Sequence, residues 1–238
     1  MEKLPNAWKG QYTRGSQQGP TVMLEVVASH DMWIWHAFFG MAGSNEDSNV
    51  LNNSSIFDAL KNVSVPLASF YVDGHHYTKG YYLGEGIYPD WATLIKGYSQ
   101  SMDEKRAKFK RFQESARKGV ERTFGVLQGR FDILKSPTRA IRFNKLKEYM
   151  NTCIMLHNMI QEDNGFQISL IKEAMLADPY NRPRRNIINR SRDRDTISRE
   201  IRDRRVHDQL REDLTEHIWN LPATFVALTK ISIYVIFI

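Results

Sequence analysis

In the run Arg117-Lys118-Gly119-Val120-Glu121-Arg122-Thr123-Phe124-Gly125-Val126-Leu127-Gln128, one carboxylate, Glu121, falls beside the apolar stripe of a helix-forming segment, with Arg117, Lys118 and Arg122 around it. A carboxylate so placed can ligate a divalent metal while its cationic neighbours hold a phosphate backbone, which is the chemistry of a nuclease. Taken by itself, the segment reads first as an ordinary amphipathic helix with a solvated Glu-Arg face. Other reactive residue types have plainer readings. His157 shares a helical face with Met150 and Cys153 and reads as a core histidine, or as a group acting behind Glu121. His75 and His76 have no ligand partner at useful spacing and read as a strand-end pair in solvent. Cys153, flanked by Thr152, Ile154 and Met155, reads as a buried inert thiol. Ser29-His30-Asp31 are contiguous, and contiguity does not make a triad.

Four motifs occur in one order. They are Gly40-Met-Ala-Gly-Ser-Asn-Glu-Asp47-Ser-Asn-Val-Leu, Lys79-Gly-Tyr-Tyr-Leu-Gly-Glu85-Gly-Ile-Tyr-Pro-Asp-Trp91, the run around Glu121, and Met150-Asn-Thr-Cys-Ile-Met-Leu-His-Asn-Met-Ile160. Together they resemble the PIF/Harbinger transposase-derived nucleases in their plant branch, over residues 4–163. The resemblance implies a ribonuclease H-like fold, with early acids on strand ends and the last acid on a helix. It implies two Mg2+ or Mn2+ ions about 4 Å apart, one activating water and one stabilising the leaving oxygen. Carried over residue by residue, Asp47 matches the acid ending the family's Gly-Ser-x-x-Asp motif, although by itself it also suits a helix cap or Asx turn. Glu85 stands where the family carries Asp, and Glu121 matches its final Glu. The interval between these two, 121 − 85 = 36 residues, fits the family pattern.

Two departures from that pattern imply impaired or absent catalysis. The family's earliest catalytic Asp lies on a strand ahead of the Ala7-Trp8-Lys9-Gly10 segment, and here Met1 stands only a few residues before it, so the core is expected to be truncated. Glu85 also extends its carboxylate by one methylene, and shifts of about 1 Å at a reacting centre can cost ~100-fold in rate. The expectation is therefore a DDE endonuclease-like protein with little or no hydrolysis. The alternatives are a nuclear DNA- or protein-interaction module, or an active nuclease with a mis-assigned start.

Lys105, Lys108, Arg111, Arg117, Lys118, Arg122 and Arg130 are the candidate DNA-binding residues, along or just beyond the helix that presents Glu121. The net charge of +6 favours nucleic acid as partner. Residues 182–205 hold ten Arg against four acids, a local +6 that equals the excess of the whole chain. This region reads as a nuclear-localisation patch, a phosphate contact, or a helix with internal ion pairs. The resemblance also implies a separate Myb-like DNA-binding partner. Nucleus or cytoplasm is the expected compartment, since the first residues lack a secretory apolar run. One cysteine excludes an internal disulfide framework, and no Cys/His cluster has zinc spacing.

The elements that must position these groups follow from periodicity. Runs 21–28 and 32–39 read as a hairpin about a turn at 29–31, and 71–77 and 80–83 as two short strands. Helices are expected over 49–62, 103–127 and 143–162. The last would carry Leu146, Met150, Cys153, His157 and Ile160 on one face. A charged helix could span 192–219, although its stripe breaks at Arg204-Arg205. The fold class is α/β: a truncated ribonuclease H-like core of mixed sheet and flanking helices, plus a basic helical C-terminal extension. Its divisions are a nuclease-derived domain 4–163, a linker 164–191, a charged helical extension 192–220 and a hydrophobic tail 221–238. The tail leaves open a late strand, a non-native terminus or a membrane anchor. A membrane partner is the least favoured, because a span needs about 20 apolar residues and Lys230 interrupts this stretch.

Overall fold

β-Branched and aromatic residues crowd the two early runs, and both become strands because such side chains pack well on a pleated, covered surface. A computed structural model describes residues 9–13, 21–45, 53–54, 69–86, 88–100, 103–135, 143–164, 196, 199–221 and 233–237. In chain order the elements are α1 (Lys9–Tyr12), β1 (Val22–Ala28), β2 (Ile34–Ala42), β3 (Phe70–Val72), β4 (His75–Tyr77), β5 (Tyr82–Gly84), β6 (Leu94–Lys96), α2 (Glu104–Arg130), a 3-10 turn (Asp132–Leu134), α3 (Phe143–Asp163), α4 (Arg204–Asn220) and β7 (Ile233–Phe237). The protein is a mixed α/β chain. Nearly all of the expected 49–62 helix and 164–191 linker, and Asp47, lie outside the described residues.

The chain divides into two compact units. The first comprises Met1–Ser54, Lys118–Gln167 and Val235–Ile238, and the second Ser55–Arg117 and Ile168–Tyr234. In the first unit β1 and β2 pair antiparallel, with irregularities at Met23/Leu24 and Val27/Ala28. Ser29-His30-Asp31 is the turn between them. The Ser29 hydroxyl donates to Asp31, and the Trp33 N–H donates to the same carboxylate at 3.3 Å. The side chain thus adds to the backbone turn bonds, in which Met32 N–H donates to the Ser29 carbonyl at 2.9 Å and Ser29 N–H to that of Trp33 at 3.1 Å.

α3 lies on β2 with Leu146, Met150, Cys153 and His157 buried. His157 Nε2–H donates to the Met32 carbonyl at 2.9 Å, and Nδ1 accepts from Arg130 at 3.1 Å, which leaves the ring neutral. Burial, with the Arg130 charge, lowers its pKa below the ordinary histidine value. Gln161 donates to the Asp31 carbonyl and accepts from Arg130, each at 2.9 Å. Asn158 exchanges two bonds with the backbone of Ile34, at 3.0 and 2.8 Å. Burial likewise raises the pKa of Cys153, a free thiol in this core. One residue departs from the expected face: Ile160 is 37 % exposed, and Ile154 and Gln161, on the opposite margin of the stripe, are buried.

In the second unit, the stretch read as one strand over 71–77 is instead the hairpin β3–β4. Asp73 and Gly74 both take positive φ, 47° and 82°. An Asp-Gly pair is the usual choice for a two-residue hairpin turn that needs this backbone, because its twist matches that of the flanking strands. β5 pairs in parallel with β6, through Leu83 and Ile95, and with β7, through Ile233 and Tyr234. The charged C-terminal helix starts where the sequence stripe broke. Asp203 caps α4 by accepting from the Arg205 N–H at 2.9 Å, and Ile201, Leu210, Leu214 and Ile218 are buried. No helix among the described residues is long and apolar enough to cross a membrane.

Glu25 is a fully buried acid at the middle of β1. Burial pushes its pKa up to about 7, and the Ser54 hydroxyl offsets this only in part. The folded protein holds this proton to about pH 7, whereas the unfolded chain releases it near the ordinary 4.5. Its contribution is therefore full below that lower value, declines as pH rises towards 7, and is level above. The expected outcome for Glu25→Gln is a protein that lacks this decline and is more stable above pH 7, by on the order of 2–3 kcal/mol. Urea denaturation across pH checks it. The half-buried His36 and the buried His157, whose lowered pKa values remove stability on the acid side, are common to both proteins and cancel in the difference.

Candidate functional site

The parallel strands β5 and β6 end at Gly84 and Lys96, and a cleft of about 500 Å³ opens beyond those ends. Carboxyl ends of parallel strands are where α/β sheets place ligands, because the chain there leaves the sheet in loops. Glu85, Lys96, Gln113, Arg117 and Arg211 border the cleft. Gly84 must be small: a Cβ there would meet the Tyr88 ring at 2.9 Å and Leu94 at 3.1 Å. Buried Gln113 donates to the Gly84 carbonyl at 2.8 Å and so fixes α2 against the end of β5. Arg117 is one helical turn on and on the same side of α2, which brings its guanidinium onto Glu85. The two form an ion pair, Arg117 18 % and Glu85 37 % exposed.

Two further cations of the cleft, Lys96 and Arg211, are tied to its walls. Lys96 donates to Asp90 at 2.7 Å and to the Tyr88 carbonyl at 2.6 Å, and its bond holds the Asp90 carboxyl below the ordinary range. Arg211 and Arg106 both lie on the Tyr98 ring, at 4.6 and 5.1 Å from its centre. Burial raises the Tyr98 phenol.

The seven candidate DNA-binding cations divide into two sets. Lys105 binds Glu216 at 2.8 Å, Lys108 donates to the carbonyls of Trp219 and Leu221, Arg117 holds Glu85, and Arg130 holds His157 and Gln161. Arg111, Lys118 and Arg122 are exposed. They lie seven and four residues apart, which puts them within about 40° of one another around α2. Glu121 is exposed on α2 in the first unit, Glu85 belongs to the second, and Asp47 lies outside the described residues.

Among the described residues no group of three or more His, Cys, Asp or Glu could hold a metal ion. At Glu85 the negative charge that would attract Mg2+ or Mn2+ is already balanced by a guanidinium. The described carboxylates therefore do not fit the two-ion arrangement.

Residues 1–167 match the model of a family described as plant transposon protein. The chain belongs to that plant transposon protein family. The matched stretch holds Glu85, Arg117 and Glu121, while α4 lies beyond it. No curated protein and no solved structure matches the chain.

Sequence reasoning missed the best-satisfied polar centre of the second unit. Asp213 of α4, 5 % exposed, accepts from His75 Nδ1 at 2.8 Å, from the Tyr77 hydroxyl and from Gln209 at 2.8 Å. His75 is thus partnered, and burial with the Asp213 bond raises the Tyr77 phenol. One signal was present: Asp213 falls on the buried stripe of Leu210 and Leu214, where a charge requires partners. Asp213→Ala would leave the Tyr77 and Gln209 donors unpaired and is expected to cost about 3 kcal/mol. Arg117→Ala, at a half-exposed pair, should cost about 1 kcal/mol or less. Thermal denaturation of the two variants checks the ranking.

Proposed function

We propose that this member of the plant transposon protein family is a transposase-derived, Harbinger-type DDE endonuclease relative on a ribonuclease H-like plan. In this reading it binds DNA in the nucleus and does not hydrolyse it. The observation that carries the reading is the Glu85–Arg117 pair at the carboxyl end of β5. An acid where strand ends host ligands is what the family resemblance implies for Glu85. A guanidinium on that acid takes up the charge on which divalent-ion chemistry depends. DNA binding rests on Arg111, Lys118 and Arg122, which the fold leaves exposed on one side of α2. Such cations neutralise phosphates without reading sequence.

Two measurements test this. In a nicking assay on supercoiled plasmid with Mg2+ or Mn2+, wild-type protein and Glu121→Gln should both leave the DNA intact. Cleavage by wild type that the substitution abolishes would overturn the inactive assignment. In fluorescence anisotropy with a labelled duplex, Arg111→Gln/Lys118→Gln/Arg122→Gln should bind at least ~10-fold more weakly at low salt. Its slope of log affinity against log salt should be smaller by about 2 to 3, because three fewer phosphates are neutralised.

A further inference from the structure

α3 buries one side and leaves the other apolar and open. Tyr149 is 40 %, Met155 59 %, Leu156 42 %, Met159 62 % and Ile160 37 % exposed. These are five of the nine large hydrophobic side chains exposed among the described residues, so the apolar surface is concentrated on one helix rather than scattered. Scattered apolar residues are ordinary on a protein surface, whereas a contiguous patch marks a site of contact. Methionine is well suited to such a patch because it is flexible and polarisable. Met155 and Met159 sit within an exposed row, Lys145, Glu148, Thr152, Met155, Met159 and Glu162, in which apolar residues hold the middle and charges the ends.

The charges on α3 are the second observation. The helix has no acid in its first turn and no base in its last. It places Lys145 near its N-terminus and Asp163 at its C-terminus, both opposed to the helix dipole. These residues are 18 positions apart, five turns of about 3.6, and so share the side of Met155 and Met159. Within the chain Lys145 meets only Glu148 of its own helix among the described contacts, an exposed pair at 2.7 Å.

We propose that α3 is a homodimerisation helix, with two copies packed antiparallel through Met155, Leu156 and Met159, and Lys145 facing Asp163 of the partner subunit. Antiparallel packing about a two-fold axis near position 154 sets Tyr149 opposite Met159 and Thr152 opposite Leu156. It also gives both misplaced end charges an opposite partner. Parallel packing would set like charges together at each end. A second copy is the occupant this surface fits, since its ends are complementary to themselves.

Sedimentation velocity on the full chain, from about 1 µM to about 100 µM, tests the proposal. Wild type should pass from monomer to dimer over that range. Met155→Glu/Met159→Glu should remain monomeric with an unchanged far-ultraviolet dichroism spectrum, because both side chains are exposed. Lys145→Asp should weaken the dimer about tenfold, and Lys145→Asp/Asp163→Lys should restore it. A wild type that stays monomeric throughout would overturn the proposal, as would a dimer indifferent to the two glutamates or a charge swap that fails to restore association. So would a monomer whose Met155 and Met159 resist peroxide as strongly as buried Met150, which would put another segment of the chain on this face.

Discussion

A long cationic helix must find counter-charges, and α2 carries nine cations against three acids. The dipole is well served, with Glu104 in the first turn and Arg130 in the last, but the sides of the helix are not. Much of the second unit supplies what is missing. Glu212 and Glu216 of α4 meet Arg106 and Lys105, and the carbonyls at the C-terminal end of α4 accept from Lys108. That end carries the negative pole of α4, so one contact satisfies a helix terminus and a lysine together. Each pair is half exposed and weak by itself. The apolar stripe of α4, Leu210, Leu214 and Ile218, supplies the stronger attachment, and the charges fix its register.

What was legible in the sequence was what depends on short-range pattern. The β1–β2 hairpin followed from β-branched runs about Ser29-His30-Asp31. The helices α2 and α3 followed from apolar residues at intervals of three and four, to within a few residues at each end. Where the reading stumbled, a local signal had been passed over: Asp73-Gly74 demanded a turn, and Asp203 was the cap that explained the broken stripe at Arg204-Arg205. Ile160 was assigned to the buried face because it continues the count. It lies at one margin of that stripe and is exposed, whereas Gln161, at the opposite margin, is buried with two hydrogen bonds.

At the cleft, the sequence drew notice to an acid and not to its partner. Glu85 stood out by motif, but Arg117, 32 residues away, looked like one more cation on a basic helix. Nothing local distinguishes a guanidinium that faces a strand end from one that faces water. The distinction comes from Gln113, whose bond to the Gly84 carbonyl sets the rotation of α2. Asp213 was hidden for the same reason, since His75 and Tyr77 are 138 and 136 residues away. Polar partners at such separation become visible only once packing has placed the backbone.

The two long helices treat charge in opposite ways. α2 aligns its end charges with its dipole and finds inward partners for Lys105, Arg106, Lys108, Arg117 and Arg130, leaving Arg111, Lys118 and Arg122 as a short outward row. α3 sets its end charges against its dipole and leaves methionines in water. In an isolated helix both features are unfavourable, by a few tenths of a kcal/mol for each charge and more for each open apolar side chain. A helix already held by Leu146, Met150 and Cys153 tolerates that cost, so the exposed side is free of the demands of folding. Its composition is then set by something other than the packing of this chain, and the same holds for the outward cations of α2.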